Sequence, residues 1–222
     1  EWGALDPSIY GLHLAALGKS DKPISLYFHI PFCKTMCLYC ACSVVLNRKQ
    51  AVEDEYVEYL LREIELVVSH IGARKRVVQL HFGGGTPTKL QEQHFLLLMD
   101  KIKSCFELDP QAEIAIEIDP RTVYEDDSKK LNFLRQIGFN RVSFGVQDLD
   151  EKVQEAVRRR QSYEMTKQTF DRARKLNFQS INIDLIYGLP FQTEQSFQNT
   201  VEGILDMRPD RIALFSYAKV PW

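Results

Sequence analysis

Residues 24–42 read ISLYFHIPFCKTMCLYCAC, seven strand-forming residues that run into a loop holding four cysteines. The pattern of a strand ending on unusual residues recurs along the chain. Further strands are expected at 77–82 (VVQLHF), 113–118 (EIAIEI), 141–147 (RVSFGVQ), 180–187 (SINIDLIY) and 211–217 (RIALFSY). Between them, segments 53–71, 91–105, 127–137, 163–176 and 194–205 carry apolar residues at three- and four-residue spacing, the period of a helix with one buried face. Gly72 and Gly138 follow two of these runs as helix stops. Six strand–helix steps with short connections predict a parallel sheet with right-handed crossovers.

An open doubly wound sheet and an α/β barrel share this local pattern. The position of the unusual residues separates them. Cys33, Gly83–Thr86, Asp119-Pro120, Gln147-Asp148, Gly188-Leu189-Pro190 and Ala218 each lie just beyond the end of a strand. Every strand thus supplies a distinctive terminus, as in barrels whose site is assembled from all the C-terminal strand ends. An open sheet would concentrate such residues at one switch point. The expected architecture is α/β, a six-stranded parallel (β/α)6 partial TIM-type barrel, incomplete as a closed cylinder. Residues 1–22 are expected to be an N-terminal appendage, with Asp6-Pro7-Ser8 starting a short helix, and 23–222 the barrel domain.

Of 222 residues, 45% are apolar and 26% charged, ordinary for a globular core, and the net charge is −2. No bulk field therefore recruits nucleic acid or an anionic membrane. The one dense basic run, Arg158-Arg159-Arg160, is most simply a solvated helix face. No apolar stretch approaches the roughly 18 residues of a membrane span, and no signal-peptide succession is visible at the start. The first residue is Glu rather than Met, so the chain reads as an excerpt. Four of the five cysteines fall within ten residues, at Cys33, Cys37, Cys40 and Cys42. That crowding suits metal or redox chemistry in the cytosol better than a disulfide framework.

Cx3Cx2C places three thiolates on one short loop, able to wrap a compact cluster. A [4Fe–4S] cube ordinarily takes four, so three leave one iron with an open position. Structural zinc wants four ligands, usually as two separated pairs, and no second pair is present. His29 lies on a strand rather than at finger spacing, and Cys42 follows Cys40 too closely to be an easy fourth ligand. A cluster is thus favoured over zinc and over inert cysteines. Cys105, on a helix with one apolar face, reads as a core thiol.

The remaining signals are weaker alone. Gly83-Gly84-Gly85 lets backbone approach a ligand closely, although a plain tight turn would also use glycine. Glu117 could be no more than a charge at a strand edge. Asp184 sits in an apolar strand, where an unpaired carboxylate is costly, so it should be paired or functional. Gln147 ends its strand. His13, His70 and His94 show no partner pattern, and His29 and His81 lie on strands without an assigned role.

Together these motifs carry a resemblance. Cx3Cx2C after a first strand, with a glycine-rich turn one unit later, resembles the radical S-adenosylmethionine (SAM) superfamily. HIPFC, Cx3Cx2CxC, HFGGGTPT, EIDP, GVQD, NIDLIYGLP and YAKVP, running from Tyr27 to Pro221, resemble the oxygen-independent coproporphyrinogen III oxidases (dehydrogenases) within it. The resemblance implies a [4Fe–4S] cluster on Cys33, Cys37 and Cys40. It implies SAM contacts at Tyr27, Gly84, Gly85, Thr86 and Glu117, the last accepting from ribose hydroxyls. It also implies room for a second SAM beside Tyr39, Gln147, Arg159, Asp184 and Ala218. RRRQ departs from relatives that carry an acidic residue before the glutamine, which leaves open which arginine is the contact.

The implied activity is oxidative decarboxylation of two propionates of coproporphyrinogen III to vinyl groups, giving protoporphyrinogen IX in heme biosynthesis. The implied agent is a 5′-deoxyadenosyl radical from SAM. The implied partners are the porphyrinogen and a flavodoxin- or ferredoxin-like electron donor, with no nucleic acid, no membrane and a monomeric state. Arg121 and Lys219 are candidate cations for the substrate carboxylates. Two alternatives are a haem chaperone of the same family and a radical SAM porphyrin-modifying enzyme. Cys42 favours the oxidase, because chaperone relatives usually carry an aromatic there, and it is the candidate catalytic thiol.

Overall fold

A computed structural model describes residues 6–124 and 129–219. Among the described residues eight strands are present: β1 (Ile24–Ile30), β2 (Phe32–Cys33), β3 (Val45–Leu46), β4 (Arg76–Gly84), β5 (Glu107–Ile118), β6 (Arg141–Gln147), β7 (Ser180–Tyr187) and β8 (Arg211–Ser216). The helices are α1 (Pro7–Gly18), α2 (Gln50–Ile71), α3 (Glu92–Cys105), α4 (Pro120–Tyr124), α5 (Lys129–Gln136), α6 (Glu151–Ala156), α7 (Tyr163–Lys175) and α8 (Glu194–Met207). Six strands form one parallel sheet in the order β1-β4-β5-β6-β7-β8. Sequential order follows from the connections, since each crossover advances the sheet by one neighbour in the same sense. The sheet has two edges, β1 and β8, so the barrel is partial, as expected.

Local chemistry explains the boundaries. Asp6 caps α1 by accepting from the Ser8 amide at 2.8 Å, with Pro7 in the first turn. Ser162 and Thr193 cap α7 and α8 in the same way. Strand β7 is buried along most of its length, the mark of a strand covered on both faces. Three departures from the sequence pattern stand out. Strand β5 starts six residues earlier than its apolar alternation, at Glu107. The expected helix at 127–137 is α5, with residues 127 and 128 outside the described ones and the short α4 ahead of it. The pair β2–β3 is too short for any periodicity to reveal, with Phe32 opposite Val45 and Cys33 opposite Leu46. No described helix is long and apolar enough to cross a membrane.

The chain packs as two compact units. One draws on the chain up to Leu26, Lys49–Leu80 and Glu92–Ala112. Its core pairs Val57, Leu60 and Ile64 of α2 with Phe95, Leu98 and Ile102 of α3. His94, which showed no partner pattern in the sequence, is buried here and bonds Asp54 at 2.7 Å. Cys105 corrects the core-thiol expectation: it closes α3 only half-buried, because it falls on the last turn. The other unit draws on Tyr27–Arg48, His81–Gln91 and the chain from Glu113 onward. Its core is aromatic, with Phe28 stacked on Phe82 at 5.1 Å and Phe139 edge-on to Phe82 at 5.4 Å. The site lies wholly within this second unit.

Candidate functional site

A cavity of about 860 Å³ is lined from the cysteine loop, the glycine turn and the ends of β5 to β8. Cys33, Cys37, Tyr39, Cys40, Cys42, Gly84, Gly85, Thr86, Glu117, Gln147, Arg159, Asp184 and Ala218 all contribute to its wall. Tyr27 does not. Its ring stacks on His81 at 5.8 Å and its hydroxyl pairs with His29 Nδ1 at 3.0 Å.

The cysteine loop is fixed at both ends. The Val45 amide donates to the Pro31 carbonyl at 2.7 Å and the Asn47 amide to the Cys33 carbonyl at 3.3 Å, closing it into a bight. All four of its thiols are free. Among the described residues no three Cys, His, Asp or Glu side chains converge to hold a single ion; the three Cx3Cx2C thiols face one cavity instead. Cys33 Sγ lies 3.5 Å from Thr86 Oγ1, and burial pushes its thiol up. Cys40 and Cys42 hydrogen-bond to each other. That bond lets Cys40 ionise, down to about 6, while Cys42 keeps its proton and is pushed up.

The glycine turn is held against this loop. The Gly85 amide donates to the Ile30 carbonyl at 2.8 Å and the Thr86 amide to the Phe32 carbonyl at 2.9 Å. A Cβ on Gly85 would stand 2.7 Å from the Pro31 oxygen. Gly84 has φ +115, a conformation that only glycine adopts without strain. Its amide donates to Glu117 Oε2 at 3.0 Å, while Glu117 Oε1 pairs with His81 Nε2 at 3.0 Å. The Glu117 carboxylate is thereby oriented by the turn itself.

Arg159 settles which of the three arginines faces the cavity. Arg158 and Arg160 are exposed, and Arg160 pairs with Glu155 on the surface. Arg159 is buried. Its Nη2 donates to the Gly145 carbonyl at 2.6 Å, and its Nη1 to Cys37 Sγ at 3.6 Å and to Asp119 Oδ2 at 3.3 Å. Its Nε is buried without a partner among the described residues. Asp119 also takes Arg121, whose Nε and Nη2 grip both carboxylate oxygens at 2.6–3.1 Å. Burial alone would raise the Asp119 carboxyl, but the two guanidiniums outweigh it and hold it below the usual carboxylate range. Sequence reading noted Asp119 only as a strand end. Its role as anchor for two arginines needed the fold, because its partners lie both two and forty residues away.

Gln147 ends β6 with φ 72, in the left-handed region, and the pairing with β7 slips between Gly145 and Gln147. Such a bulge re-aims a side chain, here into the cavity. Asp184 accepts from Ser143 Oγ at 3.0 and 3.1 Å and from Asn182 Nδ2 at 2.7 Å, the pairing its apolar strand demanded. Burial raises its carboxyl to about 6, with the Glu117 charge adding to the effect and the hydrogen bonds opposing it. Tyr39 packs with Tyr217 on a patch of Val153, Val157, Ile186 and Leu189. Arg121 lines the cavity but is committed to Asp119, and Lys219 is not in the wall.

Three thiols, a half-buried glycine turn, an oriented carboxylate and a buried guanidinium around one cavity can hold a metal–sulfur group and a polar, nucleoside-sized ligand. The chain belongs to the radical SAM superfamily, whose family model matches residues 27–204. It is similar, more narrowly, to oxygen-independent coproporphyrinogen III oxidases. The Pseudomonas aeruginosa protein of that name is 46% identical over 205 residues, covering 91% of this chain and 44% of the relative. The Escherichia coli protein is 43% identical over 201 residues, covering 90% and 43%. The solved structure of the E. coli coproporphyrinogen III oxidase, described as a radical SAM enzyme, superposes with TM-score 0.87 at 41% identity, covering 94% of this chain and 48% of that one. Methylornithine synthase, at 16% identity and TM-score 0.53 over 97% of this chain and 62% of its own, shares the fold alone. The chain spans about half the length of the curated relatives it matches.

Proposed function

We propose that this chain is the radical SAM portion of an oxygen-independent coproporphyrinogen III oxidase, which converts two substrate propionates to vinyl groups. The observation that carries the reading is the single cavity on which the Cx3Cx2C thiols, the Gly84–Thr86 turn and Glu117 meet, in a chain 46% identical to an enzyme of that name. The donor set fits the implied cofactors: Cys33, Cys37 and Cys40 would hold a [4Fe–4S] cluster, and three ligands leave one iron open. Bound together, the reduced cluster would supply the electron and SAM the sulfonium that accepts it, providing a carbon radical able to take a hydrogen atom.

The chain's own residues do the positioning. Gly84 and Gly85 present backbone to the ligand's amino acid end, with Thr86 beside Cys33. Glu117, oriented by the Gly84 amide and His81, accepts from ribose hydroxyls. Arg159 neutralises charge beside Cys37, to whose Sγ its Nη1 donates. Tyr39, Gln147, Asp184 and Ala218 extend the wall toward a second SAM or the substrate. Each propionate would give a β-carbon hydrogen atom to the carbon radical, lose carbon dioxide and pass one electron to a one-electron acceptor, which balances to a vinyl group. The electron source is a one-electron donor of the flavodoxin or ferredoxin class. Crowded free thiols support a reducing, cytosolic setting for the protein, and we take it to act as a monomer.

The test is anaerobic reconstitution followed by turnover. About four irons per chain are expected, with loss of the cluster in Cys37→Ala and its retention in Cys105→Ala. With SAM and a reductant, the full-length protein should release carbon dioxide and 5′-deoxyadenosine from coproporphyrinogen III. Stoichiometric zinc without iron in anaerobically purified protein overturns the cofactor assignment. A loaded protein that cleaves SAM but leaves the porphyrinogen intact overturns the substrate.

A further inference from the structure

Among the described residues, each of the three expected cluster sulfurs meets a hydrogen-bonding group of a different kind. Thr86 Oγ1 lies 3.5 Å from Cys33 Sγ, Arg159 Nη1 donates to Cys37 Sγ at 3.6 Å, and the Cys42 thiol bonds to Cys40. Once the three cysteines are thiolates, the hydroxyl and the Cys42 thiol can only donate to them. Of these donors the guanidinium alone carries charge. It serves Cys37, the buried sulfur, while Cys33 and Cys40 are half-buried. The backbone sets Arg159 there. The Leu38 amide donates to the Val157 carbonyl at 3.0 Å, tying the cysteine loop to the end of α6. Arg158 then takes φ 57, in the left-handed region, and Arg159 turns inward while Arg158 and Arg160 stay exposed. Its Nη2 donates to the Gly145 carbonyl, and a Cβ on Gly145 would stand 3.0 Å from that nitrogen. Asp119 accepts from the same Nη1 that reaches Cys37.

Reduction adds a negative charge to an iron–sulfur cluster, and a pocket that keeps water away solvates that charge poorly, which lowers the potential. Hydrogen bonds and positive charge at the ligand sulfurs act in the opposite sense. We propose that Arg159 raises the cluster's reduction potential through its bond to Cys37, with Asp119 positioning it and moderating its charge. The inference rests on the cluster assignment above. The step it governs is the passage of one electron from the flavodoxin- or ferredoxin-class donor, which is oxidised, to the cluster, which is reduced. No proton crosses, since hydroxyl, guanidinium and thiol keep theirs. A higher potential lets a milder donor deliver that electron.

The test is a mediated redox titration of the reconstituted full-length protein, anaerobic and without SAM, with the reduced cluster followed by electron paramagnetic resonance. Leaving SAM out removes Arg159's expected part in ligand binding from the readout. Arg159→Met should move the midpoint about 59 mV more negative, a tenfold loss in the one-electron equilibrium. Arg159→Lys keeps the charge but not the planar fork, so its midpoint should fall between those of Arg159→Met and wild type. Asp119→Asn keeps an acceptor for Arg159 and removes the opposing charge, so its midpoint should rise. Iron content of about four per chain shows that the same cluster type is compared in each variant. Should Arg159→Met lose its iron, Arg159→Lys and Asp119→Asn carry the same test of opposite signs. Residues that only hold the pocket together would move both midpoints in one direction, and that result overturns the proposal. Midpoints unmoved by either substitution overturn the tuning and leave the cluster standing. Wild-type protein without a reducible cluster overturns the cofactor assignment and this inference with it.

Discussion

Two aspartates in the same unit respond to burial in opposite ways, and their pH signatures should differ in sign. Asp184 is raised to about 6 by burial, with Glu117 adding to the effect and Ser143, Asn182 and the Arg159 charge opposing it. A carboxyl raised above its unfolded value of about 3.9 gives stability that is full below pH 4 and lost as pH rises through about 6. In the apoprotein, Asp184→Asn should flatten that slope by roughly 2 kcal/mol in urea titrations run between pH 4 and 7. Asp119 is the reverse case, its carboxyl held down by Arg159 and Arg121 against burial. Its stability is present above the unfolded value and lost as pH falls through the lower folded one. Asp119→Ala leaves Arg159 buried without its counter-ion and should cost about 3 kcal/mol at neutral pH, measured by the same titration. The sequence announced Asp184, because a carboxylate inside NIDLIYG demands a partner. It could not announce Asp119, whose strand-end position looks like any turn aspartate.

At the scale of elements, the legible parts were those with a period. Strands β1, β6 and β7 match their sequence bounds residue for residue, since apolar runs flanked by polar ends leave little freedom of register. Strand β5 overruns its pattern because Glu107–Ala112 extends without an apolar alternation to mark it. The β2–β3 pair was illegible for a different reason: two residues carry no period, and the pairing is made by the cysteine loop closing on itself. That closure sets up a prediction about the glycine turn. Gly85 sits where a Cβ would press on the Pro31 carbonyl at 2.7 Å and the Phe32 carbonyl at 2.9 Å, both backbone atoms that cannot swing aside. Gly85→Ala should therefore push the turn off the cysteine loop and destabilise the apoprotein by about 1–3 kcal/mol in chemical denaturation. The reconstituted variant should also hold fewer irons per chain. An apoprotein of wild-type stability would show that the turn accommodates a methyl group.

For the molecule as a whole, the strand ends foretold one shared cavity because a parallel sheet with sequential order aims every C-terminus the same way. What they could not foretell was the state of each thiol inside it, which depends on distances across the loop. Cys42 is the case on which the proposed activity turns. It lines the cavity and hydrogen-bonds to Cys40, keeping its proton while Cys40 is eased toward ionisation. In the proposed reaction a protonated thiol facing the cavity where a carbon radical would form is a ready hydrogen-atom donor, and serine at the same place is not. Cys42→Ser should therefore keep its iron, because the three cluster thiols are untouched. It should convert coproporphyrinogen III at least about tenfold more slowly, a loss of roughly 1.4 kcal/mol at the barrier. Iron content, 5′-deoxyadenosine and vinyl product are followed in one anaerobic assay. Unchanged turnover removes Cys42 from the mechanism. Lost iron would make Cys42 part of the cluster's support instead. A wild-type protein that binds haem tightly and releases no carbon dioxide from coproporphyrinogen would make the cavity a haem-handling site and overturn the enzymatic reading.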